Sequence, residues 1–296
     1  MTKRWGVGLI AVLALTASTV TGCGGHHDAA PEPTPSVSSS PTPAFDPSLP
    51  PAQAVLALVP KDATTLSVTD FDQVRAQYGV EPGDPGFWSQ AVKHSPLLST
   101  DMLRPYAGQL QGFTPDDVSW EARYSGSGAK SDGWILGFSQ VTEMSAVQKA
   151  VKAGIGPLAG ATVDAADHLV TSTTLPPSEE RWSQLSGIAG LVGPEEESTY
   201  VARGCLPGDT QGQRLQPLDG YAVSFGETLA TAYLGVDRDD LFLRMRLGDK
   251  MPAFKRVFTH GASDPSTGRI GFTMTDPVEA AQQALRSKLP FAVCAD

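Results

Sequence analysis

The chain has 296 residues, 41% hydrophobic and 18% charged, with a formal net charge of −10, an ordinary globular composition that is long enough for one large core or two modest ones. So acidic a surface excludes nucleic acid and anionic lipid headgroups as natural partners, because both would repel it. A solvated, exported exterior accounts for the charge.

Lys3 and Arg4 form a short positive start, and Val7 to Val20 supply an apolar run that falls short of the roughly 20 residues a spanning helix needs. The pattern is that of an export signal over residues 1–22. Its end, Val20-Thr21-Gly22-Cys23, resembles the lipobox of bacterial lipoproteins, an aliphatic residue and two small ones before a cysteine. That resemblance implies cleavage between Gly22 and Cys23, diacylglycerol on the Cys23 thiol, usually a further acyl chain on the new amino group, and residence on the outer face of the cell membrane. Each buried methylene contributes about 0.8 kcal/mol, so two or three acyl chains anchor stably. Without lipidation, the same stretch is an ordinary signal peptide.

Residues 23–51 are rich in Pro, Ser, Thr and Ala, as in Pro31-Glu32-Pro33-Thr34-Pro35, and cannot offset their ordering entropy by burial. A disordered spacer with polyproline II bias is expected, reaching up to roughly 80 Å at about 3.1 Å per residue. His26-His27 has no nearby ligand partner and reads as solvated. With Cys23 assigned to lipid, Cys205 and Cys294 remain, and two thiols outside the membrane most often pair as a disulfide.

Residues 52–296 read as globular. Ala52 to Leu58 is a short helix that stops before Pro60, Thr64 to Val68 a strand, and Asp70 to Gln73 an acidic cap opening a helix to Tyr78, with a turn at Gly79. At the far end, Arg269 to Met274 is a strand and Thr275-Asp276-Pro277-Val278-Glu279 a helix start. Between them, Trp134 to Phe138 leads to a helix Met144 to Lys152, and Leu241 to Met245 reads as a strand leading to Asp249 and a helix through Phe258. Further strands are expected at Val118 to Tyr124, His168 to Thr173, Tyr200 to Arg203 and Ala222 to Phe225, and a helix from Pro176 through Leu185. Surface loops are expected at Pro82 to Pro85, Gly126 to Gly133 and Pro207 to Gln216. This order predicts an α+β protein, antiparallel or mixed sheets with helices on one face. The Thr-Asp pairs at 69–70 and 275–276 hint at two similar subdomains, joined near 154–161.

No zinc spacing, H-E-x-x-H, G-x-S-x-G or phosphate-binding glycine motif occurs, and the domain histidines His94, His168 and His260 are scattered. Gly126-Ser127-Gly128 lacks the strand-to-helix setting of a hydrolase nucleophile. Asp70 and Asp276 are the most tempting carboxylates, though capping a helix accounts for both. Glu195-Glu196-Glu197 could meet a cation but reads first as solvated. Phe87, Trp88, Trp120, Trp134 and Trp182 fall in core patterns. The sequence therefore predicts no catalytic, cofactor or metal residues. It predicts a lipid-anchored envelope protein that binds a small hydrophobic ligand or an envelope partner without chemistry, the alternative being an envelope hydrolase with a non-motif active site.

Overall fold

A computed structural model describes residues 44–127, 132–193 and 196–295, which belong to one compact unit. The export signal, Gly22, Cys23, His26-His27 and most of the Pro-rich stretch lie outside the described residues, as do Gly128 and its neighbours and Glu195. Among the described residues no helix is long and apolar enough to cross a membrane.

Burial begins earlier than the expected end of the spacer at residue 51, because the Phe45 ring packs against the cluster around Val55 and Trp182. Helix α1 (Pro51–Ala54) runs into a 3-10 turn at Val55–Ala57 and ends before Pro60. Strand β1 (Ala63–Asp70) hands over to α2 (Phe71–Tyr78) through the Asp70 side chain, whose Oδ1 accepts the amides of Asp72 at 3.0 Å and Gln73 at 3.1 Å. Gly79, at φ 62°, ends α2 in the left-handed region that a side chain disfavours. Then follow α3 (Phe87–His94), the hairpin β2 (Val118–Gly126) and β3 (Gly133–Phe138), α4 (Met144–Lys152), and the short hairpin β4 (Thr162–Asp164) and β5 (Leu169–Thr171). The second half holds β6 (Ser198–Arg203), β7 (Gly220–Phe225), β8 (Leu229–Tyr233), α5 (Leu241–Leu247), α6 (Pro252–Val257), β9 (Phe258–Asp264), β10 (Arg269–Met274) and α7 (Pro277–Leu285).

Among the described residues the strands form one ten-stranded sheet in the order β4-β5-β3-β2-β1-β6-β7-β8-β10-β9. Every ladder is antiparallel. Read outward from the β1/β6 seam, the two halves have the same order: β1, β2, β3, β5, β4 on one side and β6, β7, β8, β10, β9 on the other. In each half the third strand leads into helix and then into an outer hairpin. The repeat is therefore one of strand order, and the chain crosses from one half to the other between β5 and β6. The stretch 154–161, expected as the join, lies inside the first half between α4 and β4. The two Thr-Asp pairs are not equivalent: one ends the innermost strand β1, the other follows β10.

Alternation places the cores. Leu136 and Val170 point to the face covered by α2, α3 and α4, and Ile270, Phe272 and Met274 to the same side beneath α6 and α7. Their neighbours Leu66, Val68, Ala122, Ile135 and Val201 point the other way, into a cluster closed by α1 and by Trp182, Ile188 and Leu191 on short 3-10 turns. The longer helices thus lie on one face of the sheet, as the α+β reading expects.

Two elements differ from expectation. Leu241–Leu247 is a helix, because Arg244, fully buried, reaches back one turn to Asp240 with its Nε 2.7 Å from Oδ2. Pro176 to Leu185 forms only two 3-10 turns, Ser178–Glu180 and Trp182–Gln184. Arg181 between them is extended and donates to the Ala57 and Pro176 carbonyls at 2.8 Å.

The disulfide Cys205–Cys294 is formed, beside a parallel bridge between Leu206 and Val293. Arg244 secures the same segment, donating from Nη1 to the Phe291 carbonyl at 2.9 Å and the Val293 carbonyl at 2.8 Å, and from Nη2 to the Gln216 carbonyl at 2.7 Å. Burial pushes the Asp240 carboxyl up, but hydrogen bonds from Arg238, the Gln216 amide and Arg244 outweigh it and hold the group below its ordinary range. Replacing both Cys205 and Cys294 by Ser is expected to cost about 2–4 kcal/mol. Arg244→Leu should cost about 3–5 kcal/mol by removing four buried hydrogen bonds: one of the two guanidiniums on Asp240, one donor to the Gln216 carbonyl, and the donors to the Phe291 and Val293 carbonyls. Urea unfolding of the two variants checks both values, and an Arg244→Leu cost below that of the double Ser variant would contradict this account of the C-terminal clip.

Candidate functional site

At the end of the sheet where the chain enters the domain, the segment 45–51 arches over the start of α2 and the loops after β3 and before β5. The space beneath is a cleft of about 550 Å³ lined by Phe45, Asp70, Trp120, Ser139, Asp167 and His168 among others. Its floor depends on a close approach: a Cβ on Gly137 would overlap the Trp120 indole, so only glycine lets that ring lie on the neighbouring strand. The lining contains three aspartates, Asp70, Asp72 and Asp167, and no Lys or Arg. Asp72 forms an ion pair with Arg75 Nη1 at 2.7 Å.

His168 sits at φ 54° with its Nδ1 3.1 Å from the Ser139 carbonyl oxygen. A carbonyl only accepts, so Nδ1 carries the proton and Nε2 is left as the acceptor. Serines and aspartates share the cleft with this ring; its Nδ1 is held by backbone, and among the described residues no hydroxyl is hydrogen-bonded to either ring nitrogen. His94 is exposed at the last residue of α3, and His260 lines a separate cleft of about 250 Å³ with Met245 and Phe258. The three histidines do not meet.

Asp70 comes into the cleft as a cap, the role its sequence context gives it, and Asp276 caps α7 far from it by accepting the Glu279 amide at 2.9 Å. Trp88, Trp120 and Trp182 are core side chains and Trp134 is half-buried. Glu197 departs from expectation. It is buried, its backbone carbonyl accepts the Asp70 amide at 2.8 Å, and its Oε2 has no hydrogen-bond partner. Burial, then the negative charges of Glu196, Glu227 and Asp70, push its carboxyl up to about 7. Burial also raises Glu196, whose Oε2 shares the space above Gly226 with that of Glu197. Among the described residues no group of three or more His, Cys, Asp or Glu is arranged to hold a metal ion.

A larger open cleft, about 950 Å³, lies between Pro60 and the Leu175-Pro176-Pro177 turn, with Lys61 and Glu180 on its wall. Sequence reasoning found neither cleft, because each is built from segments more than a hundred residues apart. The nearest signal was the cap at Asp70. Comparison with protein-family models, with curated proteins and with solved structures finds no match for this chain.

Glu197 sets a pH dependence. With its folded value at about 7 and an unfolded value near 4.5, the native state binds more protons between these limits, so stability falls as pH rises through the window and then levels. Glu197→Gln is expected to gain on the order of 1–2 kcal/mol relative to wild type at pH 8 and nothing at pH 4. Thermal unfolding at the two pH values checks the sign; an equal effect at both would refute it.

Proposed function

We propose that this is a lipid-anchored cell-envelope protein whose domain binds, without chemical turnover, a small polar ligand carrying positive charge in the cleft beneath residues 45–51. The carrying observation is the composition of that cleft: three aspartates, no Lys or Arg, and an aromatic floor. The field of Glu196 and Glu227, on the segments next to Asp70, has the same sign. Carboxylates facing an aromatic wall attract a cation by charge and by ring quadrupole together. A hydrophobic-solute carrier would bury its cargo in an enclosed apolar cavity, and the clefts described here are open. The hydrolase reading would need a hydroxyl hydrogen-bonded to His168, and among the described residues the ring bonds only the Ser139 carbonyl.

A hydrophobic ligand keeps one specific observation in its favour, the larger cleft walled by Pro60, Leu175, Pro176 and Pro177. Native mass spectrometry of protein purified without detergent separates the two, since a cationic ligand is displaced by salt and a hydrophobic one is not.

Binding is tested by calorimetric titration with a panel of polyamines and amino sugars. The proposal expects binding that weakens as salt rises, and at least fivefold loss in Asp167→Asn, which changes charge and not shape. No binding across the panel, or binding unchanged by Asp167→Asn, contradicts it. The tether is tested apart from the ligand: wild type should incorporate labelled fatty acid and stay with membranes, and Cys23→Ala should do neither. Equal retention of the two would overturn the anchoring.

A further inference from the structure

The segment 95–103 crosses the helical face of the sheet and joins its two cores. Leu97 and Leu103 pack with α2, α3 and α4, whereas Leu98 packs in the cluster of the second half. Its backbone is fastened by side chains rather than by a ladder. Thr69 Oγ1, on β1, accepts the amides of Leu98 at 3.2 Å and Ser99 at 3.0 Å. Glu121 Oε2, on β2, accepts the Met102 amide at 2.9 Å, and Asp101 Oδ1 accepts that of Leu103 at 2.9 Å.

Two acids therefore hold this strap from inside the protein. Glu121 is fully buried and is offset by Arg123, whose Nε lies 2.7 Å from Oε1. Asp101 is 2% exposed, sits at φ 55°, and has a buried Oδ2 without a hydrogen-bond partner. The Ser99 hydroxyl is buried and unpartnered as well. The charged groups that face Asp101 are Glu121 on β2, Arg104 at the start of the next 3-10 helix, and Asp116 in the turn before β2. Arg104 is shared with the Trp88 ring, 4.5 Å from its guanidinium carbon.

We propose that Asp101 is a proton-controlled latch: with the carboxyl neutral the strap is closed across both cores, and with it ionised the buried, partnerless Oδ2 and the neighbouring Glu121 drive the strap open. Burial comes first, and the charges of Glu121 and Asp116 add to it against the Leu103 amide and Arg104, so that the carboxyl is pushed up to about 7. The closed form is thus populated below neutral pH and lost above it. None of Thr69, Glu121 and Asp101, the side chains that fasten the strap, lines the cleft, so the latch is independent of the ligand reading above.

Hydrogen exchange on the full domain tests it, with rates corrected for intrinsic pH dependence and referred to β1. Between pH 6 and pH 8 the peptide covering 95–103 in wild type should lose protection by tenfold or more while β1 does not change. Asp101→Asn, which keeps the left-handed backbone and the Oδ1 acceptor, should hold its pH 6 protection at pH 8. Unchanged strap protection in wild type overturns the proposal by itself, whether or not the variant folds. The same tenfold loss in Asp101→Asn overturns it too, because the titrating group would then lie elsewhere.

Discussion

Everything in this protein is arranged about the antiparallel seam between β1 and β6, where Thr65 to Thr69 pair with Ala202 to Ser198. These are the innermost strands of two halves with the same strand order, so closing the seam turns two five-stranded sheets into one. A five-stranded half ending at β1 would present an unpaired, β-branched edge, the kind of edge that templates aggregation. Pairing the two central edges removes that hazard from the middle of the molecule and leaves β4 and β9 outermost, β4 being three residues long.

The seam also positions the polar groups. On its helical face β1 contributes Thr65, Ser67 and Thr69 rather than apolar side chains, and Thr69 becomes the acceptor for the crossing strap. At the end of β1, Asp70 both caps α2 and receives support from Glu197 through the backbone. The acidic cleft and the buried glutamate are thus consequences of joining the halves there. On the far side, Asp240, Arg238 and Arg244 satisfy one another and several carbonyls, so that a triad buried almost completely remains paired.

Much of this fold was legible in the sequence. Alternation gave β1, β2, β3 and β10, and the caps at Asp70 and Asp276 gave the starts of α2 and α7. The α+β class followed from their order. Reading failed where a distant partner decides local structure. Leu241-Phe242-Leu243-Arg244-Met245 looks like a strand until Arg244 is seen to hold the Phe291 and Val293 carbonyls as well as Asp240 one turn earlier. Pro176 to Leu185 looks like a helix until Arg181 is drawn out to the Ala57 carbonyl. The repeat of strand order is invisible for the same reason, since it is a relation among pairings and not among residues. The cleft was out of reach because Phe45, Trp120 and His168 converge only through the fold.

Four tryptophans of the domain, Trp88, Trp120, Trp134 and Trp182, all precede β6, and the second half has none. Tryptophan fluorescence is therefore weighted to the first half, with Trp120 and Trp182 in the cluster that also holds Val201 and Tyr233, and far-ultraviolet circular dichroism reports both halves equally. In equilibrium urea unfolding, a sheet made continuous by the β1/β6 seam requires the two signals to follow one curve with a single midpoint. Separate midpoints would show that the halves unfold independently and that the seam does not govern the structure.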